Sequence, residues 1–160
     1  MREQQRDRLV QTFSAPTRYL TQTNSIHRTY NQGVILGALV ELSRATGQSS
    51  YIDTAKRIAD AALKKLTDGN GILHDPCEPD CSGDGSQFKR IFAHNLGILQ
   101  SESPEDRYRE FLERNADSVW QSDRSGRNEL GLEWDGPFVG PANASTQSSG
   151  MDVLVAALSI

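Results

Sequence analysis

The chain repeats itself. A shift of 57 positions lays Tyr51 and Ala59-Asp60 on Tyr108 and Ala116-Asp117, Ile35 on Phe92, Leu39 on Leu96, Leu42 on Leu99 and Leu63 on Trp120, without a gap. So long a period holds two helices and their connections. It exceeds the ~34 residues of a TPR unit and the ~40–47 of HEAT or armadillo units. Each unit must bury its apolar side against the next, so the repeat demands a stacked helical array. The same match assigns Trp120 to the core, because Leu63 stands at its equivalent position.

Five segments carry helical periodicity, and none shows convincing strand alternation. The first runs from about Gln32 to Thr46, with Val34, Ile35, Leu36, Leu39, Val40 and Leu42 spread around its circumference. A helix apolar on most sides is a buried one. The second, about Ser50 to Leu66, turns Ile52, Ala55, Ala59, Ala62, Leu63 and Leu66 inward and its lysines outward. The third, about Ser86 to Gln100, is broadly apolar, and the fourth, about Pro104 to Trp120, is amphipathic with Pro104 suited to its first turn. The fifth starts near Gln147 and is again apolar nearly all round. Buried helices thus alternate with half-buried ones. The expected class is all-α, an inner row backed by an outer row. Long, unequal loops between hairpins favour an α/α toroid over a plain solenoid.

Composition narrows the partners. With 160 residues the chain can bury a real core as one domain. A net charge of −4 argues against nucleic acid held by phosphate contacts. No apolar run approaches the ~18 residues of a membrane span. Met1 to Arg8 is not followed by a hydrophobic signal core. Cys77 and Cys81 are spaced for a short-loop disulfide, an arrangement free thiols could also adopt. Asn143-Ala144-Ser145 is an N-glycosylation sequon.

Three polar clusters precede the three apolar helices: Thr29 to Gly33, Gly83 to Lys89, and Glu133 to Phe138 with Ser145 to Ser149. If the inner helices run parallel, all three clusters gather at one end. No metal or cofactor is expected. The cysteines lack a second pair or a histidine cluster for zinc. The Asp80-x-Ser82-x-Asp84-Gly85 run lacks the bidentate glutamate of a calcium loop, since Ile91 stands there. His27, His74 and His94 are isolated in sequence, and no nucleophile triad or nucleotide fingerprint is present.

In matching order, Tyr30-Asn31-Gln32-Gly33, Leu66 to Leu73, Cys77-Glu78-Pro79-Asp80-Cys81, Gly83 to Lys89 and Gln147-Ser148-Ser149 resemble family 76 glycoside hydrolases, the endo-α-1,6-mannanases and related cell-wall enzymes of fungi and bacteria. The likeness covers about Tyr30 to Ile160. It implies an (α/α)6 toroid, of which this chain would hold about two and a half hairpins. It also implies an α-mannan or mannooligosaccharide as partner and a secreted or cell-wall setting. The family's catalytic groups are two adjacent aspartates, and this sequence has no Asp-Asp. Residues 1–29 do not resemble the family's N-terminal half. They are expected to form an atypical, poorly ordered segment, with 30–160 the C-terminal half of the domain.

Glycoside hydrolysis ordinarily needs two carboxyl groups flanking the bond. Asp75, Glu78 and Asp80 read as solvated loop acids or turn formers. Asp84 and Asp135 are better placed to accept hydrogen bonds from sugar hydroxyls, without being catalytic. Tyr30 and Trp134 could stack on pyranose rings or simply pack at helix ends. Asn31 could cap the first helix or, with Gln32, meet the sugar. Gln87 and Lys89 offer donors or are ordinary first-turn residues. No residue is assigned a catalytic role. The expected function is a mannan-cleft fragment that is inactive alone; the alternatives are a non-catalytic carbohydrate-binding protein and a helical-repeat scaffold. Half a toroid would leave apolar sides of the first and fifth helices exposed, and self-association is expected there.

Overall fold

The computed structural model describes residues 28–160. His27 and all but the last two residues of the segment 1–29 lie outside them. Among the described residues there are five α-helices: α1 (Thr29–Thr46), α2 (Ser50–Lys65), α3 (Phe88–Glu102), α4 (Asp106–Gln121) and α5 (Ala144–Leu158). A 3-10 turn, Gly83–Gln87, leads into α3. The glycines of that turn explain why the regular helix begins at Phe88 instead of Ser86. Pro104 lies just ahead of α4, not in its first turn. The capping box of Asn143 and Thr146 starts α5 earlier than apolar periodicity suggests.

Helices α1, α3 and α5 lie side by side as an inner row; α2 backs α1, and α4 backs α5 and α3. Glycines set the spacing inside the row. A Cβ on Gly33 would meet the carbonyl oxygen of Ile91 at 2.5 Å, and one on Gly97 would touch Ala156 at 3.4 Å. Contacts advance in register: Gly33 faces Ile91 and Gly37 faces Asn95, while Arg90 pairs with Asp152 and Gly97 faces Ala156. The inner helices are therefore parallel. Leu36, Leu39, Val40, Phe92, Leu96, Leu99 and Val153 fill the core between the rows.

The repeat has a structural cause. The Tyr108 hydroxyl of the second hairpin shares its one proton between Asp60 Oδ1 of the first, at 3.0 Å, and the Lys56 carbonyl, at 3.2 Å. The Tyr…Ala-Asp pattern is thus the joint between successive hairpins. Each outer helix is also followed by the same tight turn, closed by the bridges Thr67–Leu73 and Arg124–Leu130. Gly71 and Asn128 occupy equivalent left-handed positions, at φ +80° and +64°. A side chain accepts two amide protons at equivalent points. Asp68 Oδ1 takes them from Asn70 and Ile72, and Ser125 Oγ from Arg127 and Glu129.

The match fails at Trp120, which is 43% exposed instead of buried. Leu63 packs against the core, whereas Trp120 lies on the outer side of α4 under the Arg124 guanidinium, 4.0 Å away. Helix faces at both ends of the inner row are open as well. Val34 on α1 and Met151, Val155 and Leu158 on α5 are exposed.

Close approach of α1 and α3 makes Gly33 irreplaceable. Gly33→Ala should lower unfolding free energy by about 1–3 kcal/mol in urea titration, because backbone rather than a movable side chain is in the way. Gly126→Ala, where an added Cβ meets nothing within 4 Å, should change it by under about 0.5 kcal/mol.

Candidate functional site: the polar end of the inner helices

Because the inner helices are parallel, the three polar clusters do meet at one end of the array. Two acids of the loop after α2 tie that end together. Asp75 accepts from the Thr29 backbone N–H at 2.8 Å and the Thr29 hydroxyl at 2.7 Å, and pairs with Arg28 at 3.5 Å. It caps α1 from 46 residues away. Asn31 does not cap that helix; it lies inside its first turn, exposed.

The Glu78 side chain is only 6% exposed and reaches three groups. It accepts from the Asp75 backbone N–H at 3.2 Å, meets His74 Nδ1 at 2.7 Å, and pairs with Lys89 Nζ at 2.6 Å. Lys89 also donates to the Leu132 carbonyl at 2.7 Å and lies over the Trp134 ring, 4.7 Å from its centroid. Burial pushes the Lys89 pKa down, and Glu78 opposes that shift. One ammonium thereby joins the loop after α2, the start of α3 and the loop after α4.

Above this buried layer lies an open cavity of about 330 Å³. Tyr30 and Phe88 form one side, their ring centroids 4.5 Å apart, and Arg28, Asp80, Asp84 and the Cys77–Cys81 disulfide complete it. Asp84 is exposed and held loosely by Gln87 Nε2 at 3.4 Å. Asp135, also exposed, faces His74 Nε2 at 4.0 Å. The wall is thus an aromatic pair beside free carboxylates, with a disulfide behind the loop. Such a surface can stack on an apolar ring face and accept hydrogen bonds from hydroxyl groups.

The family model for glycosyl hydrolase family 76 matches residues 11–159. The chain belongs to that family. The match begins ahead of the boundary at residue 30 read from the sequence. Curated relatives include the mannan endo-1,6-alpha-mannosidases DCW1 and DFG5 of Saccharomyces cerevisiae. DCW1 is 28% identical over 84% of this chain and 31% of that protein, and DFG5 is 26% identical over 71% and 26%. Among solved structures, the Lin0763 protein from Listeria innocua is 34% identical, with a TM-score of 0.75 over 83% of this chain and 37% of that one. The GH76A alpha-1,6-mannanase from Salegentibacter sp. HEL1_6 is 28% identical, with a TM-score of 0.73 over 82% of this chain and 39% of that one. An inactive variant of the mannanase, with two consecutive aspartates replaced by alanine, was solved with alpha-1,6-mannotetrose. This chain spans about a third of the length of these relatives. Its helices form part of the family's α/α toroid.

Within that toroid several expected roles change. Trp134 is fully buried beneath Lys89 and offers no face to a sugar. Lys89 is 2% exposed, and Glu78 and the Leu132 carbonyl hold its ammonium. Both belong to the floor instead of the surface. Asp75 and Glu78 are not solvated loop acids, because α1 and Lys89 engage them; Asp80 alone of the three is exposed. Tyr30, Gln32 and Gln87 are half-buried, and Asn31, Asp84 and Asp135 exposed, at the polar end. The sequon residue Asn143 is exposed, and its Oδ1 holds the first amides of α5.

Two residues went unnoticed in the sequence. His74 is isolated along the chain but not in space. Asp123, at the end of α4, is wholly buried, and neither carboxylate oxygen has a hydrogen-bond partner among the described residues. Burial pushes its pKa up to about 7, with the Lys89 charge working the other way. No sequence signal marks it, since an acid after an outer helix reads as a surface residue.

A carboxyl whose pKa is raised on folding supports the fold most below its unfolded value and loses that support as pH rises through the folded one. Asp123 should therefore cost the fold stability between about pH 4 and pH 7. Thermal melts at stepped pH should show Asp123→Asn gaining on the parent across that window. A constant difference from pH 4 to pH 8 would contradict the assignment.

Proposed function

We propose that this chain builds one wall of a cleft for α-1,6-linked mannan and does not itself carry the catalytic pair. The observation that supports this most is the open cavity at the polar end of the parallel inner helices, lined by Tyr30, Phe88, Asp80 and Asp84. Asn31, Gln32, Gln87 and Asp135 stand outside its lining and are assigned to the same wall from their place at that end. A family 76 mannanase holds an α-1,6-mannooligosaccharide in a solved complex, in a variant that lacks two consecutive aspartates. No two aspartates are consecutive in the present chain. Its exposed acids, Asp84 and Asp135, bind hydroxyl groups in this reading, without protonating or attacking the glycosidic bond. Asn143 carries the glycan in a secreted or wall-associated setting, and the Cys77–Cys81 disulfide fits an oxidising compartment.

The test pairs hydrolysis with binding. Purified chain should release no reducing sugar from α-1,6-mannan. Calorimetry with α-1,6-mannotetraose should show binding that Asp84→Ala and Tyr30→Ala each weaken by about 1 kcal/mol, roughly fivefold. Sugar release abolished by Asp84→Ala would overturn the non-catalytic reading. Unchanged affinity in both variants would remove the assigned wall.

Self-association is a second property, favoured by the exposed Met151, Val155 and Leu158 along one side of α5 and by Val34 on α1. An apolar strip of this kind marks a contact surface. Sedimentation velocity should find species larger than a monomer, and the double variant Met151→Ser, Val155→Ser should shift them toward monomer. A monomer at all concentrations, with a cooperative melt, would count against it.

A further inference from the structure

We infer that Asp68, His74 and Asp135 form a binding site for a divalent cation of borderline softness, such as Zn2+. One imidazole nitrogen and one oxygen of each carboxylate all lie within 4.8 Å of one another. His74 Nε2 stands 4.0 Å from Asp135 Oδ2. One imidazole with two carboxylates is a donor set suited to zinc, with solvent completing the coordination.

Two features set this cluster apart from a chance meeting of charges. First, the imidazole is oriented from behind. Its Nδ1 meets Glu78 Oε2 at 2.7 Å, and Glu78 is itself fixed by the buried Lys89. With the Nδ1 proton donated to Glu78, the lone pair of Nε2 points toward the carboxylates. A carboxylate behind a histidine ligand is the usual support of a metal-bound imidazole.

Second, the repeat supplies an internal control. The turn after α4 has the same backbone as the turn after α2, yet Ser125 stands where Asp68 stands and Gly131 where His74 stands. The Ser125 hydroxyl accepts two amide protons at 3.1 Å each, as Asp68 Oδ1 does. A hydroxyl is thus enough to close this turn, so the negative charge at Asp68 is surplus to it. At the position of His74 the other repeat has glycine, where an added Cβ would meet the buried Asp123 Oδ1 at 2.2 Å. Asp68 Oδ2 contacts only Asn70 Nδ2, at 3.3 Å, among the described residues. The site departs from the sequence expectation of no metal, because its donors come from two loops 67 residues apart at the extremes.

This inference does not rest on the mannan reading, and its test uses metal without sugar. Calorimetric titration of the full chain with ZnCl2 should show saturable one-to-one binding. Asp68→Ser, which adopts the other repeat's own solution, and His74→Gln should each weaken it at least about tenfold. Thermal melts of both variants without metal should match the parent. Absence of saturable binding, or binding that survives His74→Gln, overturns the site. Loss of binding only in a variant whose metal-free melt has also collapsed would count against it too, since the residue would then be structural.

Discussion

The polar end of this molecule depends on one buried ammonium. Lys89 enters α3 at its first turn and finds Glu78 from one loop, and the Leu132 carbonyl and Trp134 from another. Taking a lysine out of water is costly, and only a close carboxylate and further hydrogen bonds offset it. Stripping a buried charge of its partner costs about 3–5 kcal/mol, a large share of a domain's net stability. The two loops are therefore tied to α3 by this charge pair as well as by the apolar burial of Ile72, Leu73, Leu130 and Trp134. Glu78 then positions His74, and its neighbour Asp75 caps α1. Asp135 reaches this layer through His74.

The layer also explains why chemistry-bearing residues divide into floor and surface. Asp75, Glu78, Lys89 and Trp134 look like ligand-binding residues by type, yet all four are consumed in holding loops together. Tyr30, Asp84 and Asp135 remain available to a ligand. Asp123 sits within the field of Lys89, and burial raises its pKa to about 7.

Helix number, helix type and inner–outer order were all legible in the chain, because burial imposes a periodicity that does not depend on knowing the partner. The repeat was equally plain, and its physical origin is the Tyr108–Asp60 joint between hairpins. The fate of individual polar side chains was not legible. Nothing around Trp134 distinguishes an aromatic that faces a sugar from one that lies beneath a lysine. Trp120 shows the opposite failure, since its repeat partner Leu63 meets the core and it does not.

By itself, then, the sequence determined an all-α array of repeated hairpins with its Gly-rich polar loops bunched ahead of the apolar helices. Those are consequences of local pattern, and local pattern is written along the chain. Only the tertiary structure decided which of those polar groups stay exposed and which are mortar. His74 and Glu78 come from one loop, Lys89 from α3, and Asp123 and Asp135 from another loop, and each group's role is set by what burial leaves for it to bond. That outcome depends on distances across the fold, which no spacing along the sequence encodes.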